Sequence, residues 1–395
     1  MKIVAILEDD IPVGGGFHQA LNSILRMQEI CRGRFEFELL AGGKTDFGYL
    51  RSLGLEARPF AFSVTDRLLL QFSRHPWWHQ FQHRLKLVSA FEKALLELGC
   101  DLVFFSKQSE LPGVLQRLNF IITLFDLCHR DAMEFPEVRE FGQFQARERY
   151  FQTHLSGAVA VLTDSAALAD AAARRYGVDR GRLLPMPFAP AAFLEGRVAN
   201  DREVVLARHQ LAGGYLFYPA QFWAHKNHVR ILEALAVLRE HGQHPQVVFA
   251  GGDKGNCGHV QKAVDRLGLR EQVRMLGFVA AQDMRGLYEG CSAVVMPTYF
   301  GPTNLPPLEA WTVGRPLVYS KHLAEHAGEA AVLADPDDAQ DLARAIQQAT
   351  DPATAARLVA SGKLRLQQIE RQRAEAEAEL LRRLQQFGSR RKCWE

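Results

Sequence analysis

The sequence predicts an α/β protein made of two doubly wound, parallel-sheet domains. Short β-branched or aromatic apolar runs alternate with longer stretches of helical periodicity, the pattern of strand–helix–strand crossovers. The 395 residues exceed what one ordinary core serves. Midway, Pro185-Met186-Pro187-Phe188-Ala189-Pro190 breaks the pattern with three prolines in six residues, a stiff connector. A first domain over 1–190, a second over 203–365 and a terminal helix over 366–395 are expected.

Composition excludes several classes. With 47% hydrophobic and 23% charged residues and a net charge of +2, the chain is globular and carries no polyanion-binding excess, so no nucleic-acid partner is expected. No apolar run approaches the roughly 18 residues that a spanning helix needs. The short apolar start, Met1 to Leu7, meets Glu8-Asp9-Asp10 and reads as a first strand instead of a signal peptide, so a cytoplasmic location is expected. Cysteines at 31, 100, 128, 257, 291 and 393 form no C-x-x-C pair, which points to reduced packing thiols.

In the first domain, the opening strand leads through Gly14-Gly15-Gly16-Phe17 into a helix from His18 to Cys31. Such a turn lets backbone approach a ligand, although the full G-x-G-x-x-G fingerprint is absent and a plain tight turn is the alternative. Strand Phe35 to Leu40 precedes Gly42-Gly43-Lys44-Thr45, which ends like a phosphate loop, but Glu38 stands where a Walker A motif needs its leading glycine. Over 67–88, bases interleave with Leu68, Leu69, Leu70, Phe72, Trp77, Trp78 and Phe81. An ordinary helix pair interrupted by Pro76 is the favoured account, and a surface lying on anionic lipid is the other. Strands at 102–105 and 120–125 follow, and ligands of such sheets bind beyond strand carboxyl ends. That points to Asp126-Leu127-Cys128-His129-Arg130-Asp131, where Asp126 and His129 either orient ligand hydroxyls or satisfy loop backbone. A strand at 159–163 and a helix from Ala166 to Tyr176, capped by Asp164-Ser165, complete the domain.

The second domain repeats the pattern. Strand Tyr215 to Pro219 runs into a loop carrying Lys226, then a helix with Ile231, Leu232, Leu235 and Leu238 on its apolar face. A lysine beyond a strand end and beside a helix N-terminus is suited to neutralise a diphosphate, though alone it is more often a solvated lysine. Strands at 246–250, 273–276 and 291–296 follow. His322-Leu323-Ala324-Glu325-His326 matches H-x-x-E-H by chance spacing, without a companion ligand motif, and Asp335-Pro336-Asp337 reads as a helix entrance. A long charged helix reaches about Phe387.

The stretch around which the chain is organised is Tyr299-Phe300-Gly301-Pro302-Thr303-Asn304-Leu305-Pro306-Pro307-Leu308-Glu309-Ala310. Paired prolines suit a helix entrance. They leave the amides of Thr303, Asn304 and Leu305 ahead of a positive helix end, a phosphate cradle. Glu309, expected in the first turn, either favours the helix terminus by roughly 0.3–1 kcal/mol or, ionised, accepts from a vicinal diol.

This stretch resembles the donor-binding motif of family-four glycosyltransferases, retaining enzymes of the GT-B fold, in which two glutamates flank seven residues. Glu309 matches the second glutamate and Gly301 falls on the first, as in a subgroup of the family. The resemblance is good from Leu216 to about Ala345 and looser over Asp126 to Tyr176. It implies two Rossmann-like domains facing each other across a cleft, the first for acceptor and the second for nucleotide-sugar, with the last helix crossing back. It implies roles for Lys226 and Glu309, which, with Asp126 and His129 of the strand-end loop, make the candidate catalytic set. Donor contacts would be Gly15, Gly16, Lys226, Phe278, Val279, Thr303, Asn304, Leu305 and Glu309. Neither a cofactor nor a metal is implied, only a UDP- or GDP-sugar substrate and a saccharide or lipid-linked acceptor, as in bacterial surface polysaccharide synthesis, with peripheral membrane contact through 67–88. The rivals are a non-catalytic GT-B subunit and, disfavoured by the missing fingerprint, a nicotinamide dehydrogenase.

Overall fold

The computed structural model describes residues 1–8, 15–43, 45–61, 63–73, 80, 84–191, 194, 200–301 and 304–394. The chain divides into two units: Met1–Asp131, Phe141–Phe188 and Gln372–Glu395 form the first, and Ala132–Glu140 with Ala189–Arg371 the second.

The first unit holds seven strands, β1 (Lys2–Leu7), β2 (Glu36–Gly42), β3 (Ala57–Phe60), β4 (Leu102–Phe105), β5 (Asn119–Leu124), β6 (Ala160–Thr163) and β7 (Leu183–Pro185), in the order β3-β2-β1-β4-β5-β6-β7. All pairings are parallel, with Ile3 opposite Phe37 on one side and Leu102 on the other. A parallel sheet must be covered on both faces, which is why its strands are unbroken apolar runs. On one face, Phe17, Leu21, Ile24 and Met27 of the helix Gly15–Cys31 pack with Leu380 and Leu384 of the last helix. On the other, Phe91, Leu95, Phe151 and Leu168 complete the layer. Each such side chain, fully buried, contributes about 1.5–3 kcal/mol.

Two strands of this unit differ from the sequence expectation. β3 carries exposed Arg58 and Pro59 on an edge and lacks an apolar signal. β7 ends in Pro185, the residue expected to open the connector; a sheet edge tolerates proline because no ladder donor is needed there. Within 67–88, the helix Val64–Ser73 is anchored by buried Asp66, which accepts from Ser63 Oγ (2.7 Å) and the Phe91 amide (3.1 Å). Trp77 and Trp78 lie outside the described residues.

The second unit holds β8 (Tyr215–Pro219), β9 (Val247–Ala250), β10 (Val273–Met275), β11 (Cys291–Met296), β12 (Leu317–Ser320) and β13 (Val332–Ala334), all parallel, in the order β10-β9-β8-β11-β12-β13. The strand order reverses between β8 and β11. Ala132–Glu140, expected within the first domain, belongs to this unit because Phe135 packs on Phe300 (5.1 Å) and Tyr299 (5.3 Å). The last helix is continuous over Pro352–Arg391, and its division between the units falls after Arg371.

Gly251 directly follows β9, where the backbone leaving β8 passes over it. A β-carbon there would collide with the Ala220 carbonyl, whereas one on Gly252 meets nothing within 4 Å. Gly251→Ala should therefore lower the stability of the second unit by about 1–3 kcal/mol in urea titration, and Gly252→Ala should cost much less. Equal effects would show that the close approach is not rigid.

Candidate functional site

The carboxyl ends of β8 and β11 carry the loops that matter most. After β8, Phe222 and His228 are buried and stack at 4.4 Å, and burial holds the His228 imidazole neutral, with its pKa lowered to about 3. Between them, a short 3-10 turn, Ala224–Lys226, ends at Asn227 in the left-handed region (φ 58°). Asn227 Nδ2 donates to the Pro297 (3.1 Å) and Pro336 (2.8 Å) carbonyls, and the Tyr218 hydroxyl donates to the Lys226 carbonyl (2.8 Å). The backbone of Lys226 is thereby fixed on both sides. Its Nζ reaches Asn304 Oδ1 at 3.5 Å.

After β11, Gly301 turns the chain at φ +97°, and a β-carbon there would lie 2.8 Å from Asn304 Oδ1. Both facts restrict the position to glycine. Asn304 is buried; its Nδ2 donates to the Tyr319 hydroxyl (2.8 Å) and the Gly301 carbonyl (3.2 Å), so its Oδ1 is turned to Lys226. The helix Leu305–Thr312 follows, with Asn304 as its N-cap. Pro306 and Pro307 fall at its second and third positions, so Leu305 alone of the first three helical residues carries an amide proton. Thr303 lies outside the described residues.

Glu309 is not in the first turn. It is the fifth helical residue and is 5% exposed, and its Oε2 accepts from the buried Tyr288 hydroxyl. Burial pushes its carboxyl up to about 7, against the hydrogen bond from Tyr288, which lowers it. The expected fully ionised carboxylate at a helix end is therefore a desolvated group balanced between two forms near neutral pH. Phe278, after the Gly277 turn (φ +66°) that follows β10, is 60% exposed, whereas Val279 is buried. The Gly277 carbonyl accepts from the Gly251 amide (2.8 Å), tying this turn to the end of β9.

The first unit has a separate cluster. Gly15 and Gly16 open the helix after β1, with Gly16 exposed. Asp126, after β5, accepts from the Cys128 amide (3.0 Å) and pairs with Arg147. His129 is fully buried against Phe144 and Phe151; its Nε2 bonds Glu148 Oε1 (2.7 Å), and burial lowers its pKa. Glu148 also takes Arg130 (2.5 Å) and the Tyr176 hydroxyl (2.6 Å), and these bonds, led by Arg130, hold its carboxyl at about 2. The direct contact with ligand hydroxyls expected of His129 does not fit this burial: its ring braces Glu148 beneath the loop. Asp126 remains half-buried at the loop's start.

Sequence reasoning missed Tyr288, Tyr319, Glu137 and His225. Each is an ordinary residue on a helix, strand or loop, and only the fold brings Tyr288 to Glu309, Tyr319 to Asn304, and Glu137 to His225, the neighbour of Lys226. Among the described residues no cluster of three metal-ligating side chains occurs, and His322 of the H-x-x-E-H pattern bonds the Tyr299 carbonyl (3.2 Å).

Residues 213–351 match the family model described as glycosyl transferases group 1. The O-antigen chain mannosyltransferase B of Escherichia coli is 26% identical over 252 residues, covering 63% of this chain and 65% of that protein. The chain spans less than two thirds of the length of each curated relative it matches. Among solved structures, a sucrose-phosphate synthase from Thermosynechococcus elongatus superposes with a TM-score of 0.71 at 18% identity, covering 97% of this chain and 98% of that one. The Anabaena protein Alr3699/HepE, in complex with UDP and glucose, superposes with a TM-score of 0.70 at 16% identity, covering 96% of this chain and 99% of that one. These likenesses make the fold GT-B.

The protonation of Glu309 has a measurable consequence. A carboxyl whose folded-state pKa is about 7, against an ordinary 4.5, binds its proton more tightly when folded, so stability is full below about pH 4.5 and declines as pH rises to about 7. The loss amounts to about 3 kcal/mol. Glu309→Gln should match the wild type near pH 5 and exceed it by up to that amount at pH 8 in urea titration. Parallel pH profiles would show that Glu309 ionises without penalty.

Proposed function

We propose that the second unit, which carries a glycosyl transferases group 1 domain, binds a nucleotide-sugar, and that the protein moves its sugar to a saccharide or lipid-linked acceptor with retention. The observation that carries this reading is the convergence of Lys226, Asn304 and the start of the Glu309 helix at the reversal of strand order between β8 and β11. Crevices at such reversals are where open parallel sheets take ligands. Lys226 and the Leu305 amide stabilise the departing diphosphate as the bond from its oxygen to the anomeric carbon breaks. No metal is required for that charge. Glu309, ionised, accepts from the ribose diol through its carboxyl, with Tyr288 holding one oxygen. Phe278 lies under the base and Val279 packs beneath it. The acceptor falls to the first unit through Asp126. Its hydroxyl adds from the face that the diphosphate leaves, and its proton passes to that diphosphate, so no protein nucleophile is needed. The relative named for O-antigen chain synthesis supports a surface polysaccharide as the product class.

One observation favours a second reading, a non-catalytic subunit: Gly301 leaves the first glutamate position of the motif without a side chain. Nucleotide binding without turnover would establish it.

A thermal-shift panel of UDP, GDP, ADP and NAD tests the donor site, because a ligand at a hundred times its Kd adds about 2.7 kcal/mol. One nucleoside diphosphate should shift the melting of the wild type. Lys226→Ala should weaken that diphosphate more than its nucleoside, and Glu309→Ala should weaken both. No shift with any nucleotide overturns the reading.

The helix Val64–Ser73 exposes Val64, Leu68 and Phe72 beside Arg67, and Leu85 is exposed as well, which supports peripheral contact with an anionic membrane. Wild type should float with anionic liposomes at low salt, and a Leu68→Ser/Phe72→Ser variant should stay in the pellet fraction. Absence of flotation by the wild type removes the membrane from the account.

A further inference from the structure

Nine residues of the second unit come from within the sequence of the first. The chain departs at Asp131, runs through Ala132–Glu140 and rejoins at Phe141, where φ is +52° and the following Gly142 is at +70°. Within this strap, the turn Pro136–Arg139 buries Val138 and presents Glu137. One oxygen of Glu137, Oε1, accepts from the His225 amide at 3.0 Å and also bonds the His225 Nδ1, and both side chains are about nine-tenths buried (10% and 12% exposed). The bonds from His225 hold the Glu137 carboxyl below its ordinary value although burial alone would raise it.

His225 in turn touches the other donor loop. Its imidazole lies flat on Phe300, with centroids 4.3 Å apart and planes 15° apart, and its carbonyl accepts from the Tyr299 amide (2.9 Å) and from Thr298 Oγ1 (3.4 Å). Phe135 of the strap packs edge-on against both Phe300 (5.1 Å) and His225 (6.5 Å). His225 directly precedes Lys226, and Phe300 directly precedes Gly301. One residue therefore joins the loop after β8 to the loop after β11, and the strap grips that residue through a buried, doubly used carboxylate oxygen. Ordinary loop packing needs no carboxylate here; a charge taken out of water is retained where its bonds fix a geometry.

We propose that Glu137 and His225 are positioning residues for the diphosphate end of the donor site, with Glu137 setting the approach of Lys226 to Asn304. The inference rests on the donor-site reading above. Neither residue touches the ligand; both act through the two loops.

The test uses the full-length chain, with the nucleoside diphosphate that stabilises the wild type and its parent nucleoside titrated calorimetrically, and with amide hydrogen exchange read at His225 and Tyr299. Glu137→Ala should lose protection at both amides and weaken the diphosphate roughly tenfold, as loss of a charged, buried acceptor suggests. The nucleoside, held elsewhere, should change less than about twofold. Glu137→Gln, whose amide oxygen can accept the same two donors, should restore both readouts. If Glu137→Ala binds the diphosphate like the wild type while Lys226→Ala does not, the positioning role is wrong and the donor site stands. Equal weakening of nucleoside and diphosphate also overturns the role, since it would mark a general loss of structure. If Lys226→Ala and Glu309→Ala both bind the diphosphate normally, the donor site falls and this inference falls with it.

Discussion

The second unit depends on a constraint of topology: six parallel strands whose order reverses once, between β8 and β11. Right-handed crossovers on either side of such a reversal send the neighbouring loops to opposite faces, so the carboxyl ends of those two strands are left uncovered. The remaining devices of the unit hold the two loops at that gap. Gly251 lets the backbone after β8 pass close by, the buried Phe222–His228 stack roots the same loop, and Asn227 fastens it to the carbonyls of Pro297 and Pro336. Tyr319 on β12 orients the Asn304 amide from behind. These supports are uncharged, and the carboxylate of Glu137, which grips His225, adds a charged one to them.

Gly301 takes a different meaning in this setting. By sequence it is a missing glutamate. By structure it is a position where the left-handed backbone and the Asn304 side chain exclude any β-carbon. A carboxylate lost from an otherwise unchanged loop would leave room for one. Here the room is filled by Asn304, whose amide bonds the Gly301 carbonyl and faces Lys226. The neutral amide removes a negative charge from beside the lysine and keeps a hydrogen-bonding group there. That is a coherent alternative arrangement of the loop, and it weakens the argument that glycine at this position by itself marks decay.

Much of the fold was legible because parallel strands buried on both faces must be apolar throughout, and their runs stand out at 102–105, 120–125, 215–219 and 291–296. The edge strands did not stand out. β3 carries Arg58 and Pro59, and β7 finishes on Pro185, since an edge relaxes both the burial and the donor requirement that make a strand readable. The strap Ala132–Glu140 could not be assigned from sequence because its allegiance is set by Phe135 and Glu137 meeting residues 88 or more positions away in the chain. At the site, Lys226 and Glu309 were legible through their places beyond strand ends. Asn304 was legible as part of the same motif, whereas Tyr288 meets Glu309 and Glu137 meets His225 by tertiary proximity, which leaves no local pattern. His129 was misread for a related reason: a histidine beyond a strand end has the same sequence signature whether it faces ligand or, as here, lies wholly buried on Glu148.

Electrostatics then constrains what the site can bind. Glu309 is desolvated enough to sit between its protonated and ionised forms near neutral pH, and Lys226 faces a neutral amide. A ligand that brought only negative charge would satisfy the lysine and press the carboxyl toward protonation. One that brought only hydroxyl donors would favour ionised Glu309 and leave the lysine as it was. A molecule with phosphates at one point and a vicinal diol at another improves both at once, because each bound diol donates to the carboxylate and so offsets the desolvation that raised its pKa. Under the donor-site reading, binding and the ionisation of Glu309 are therefore linked, and the buried glutamate works as a selective acceptor for hydroxyls because it resists ionising without them.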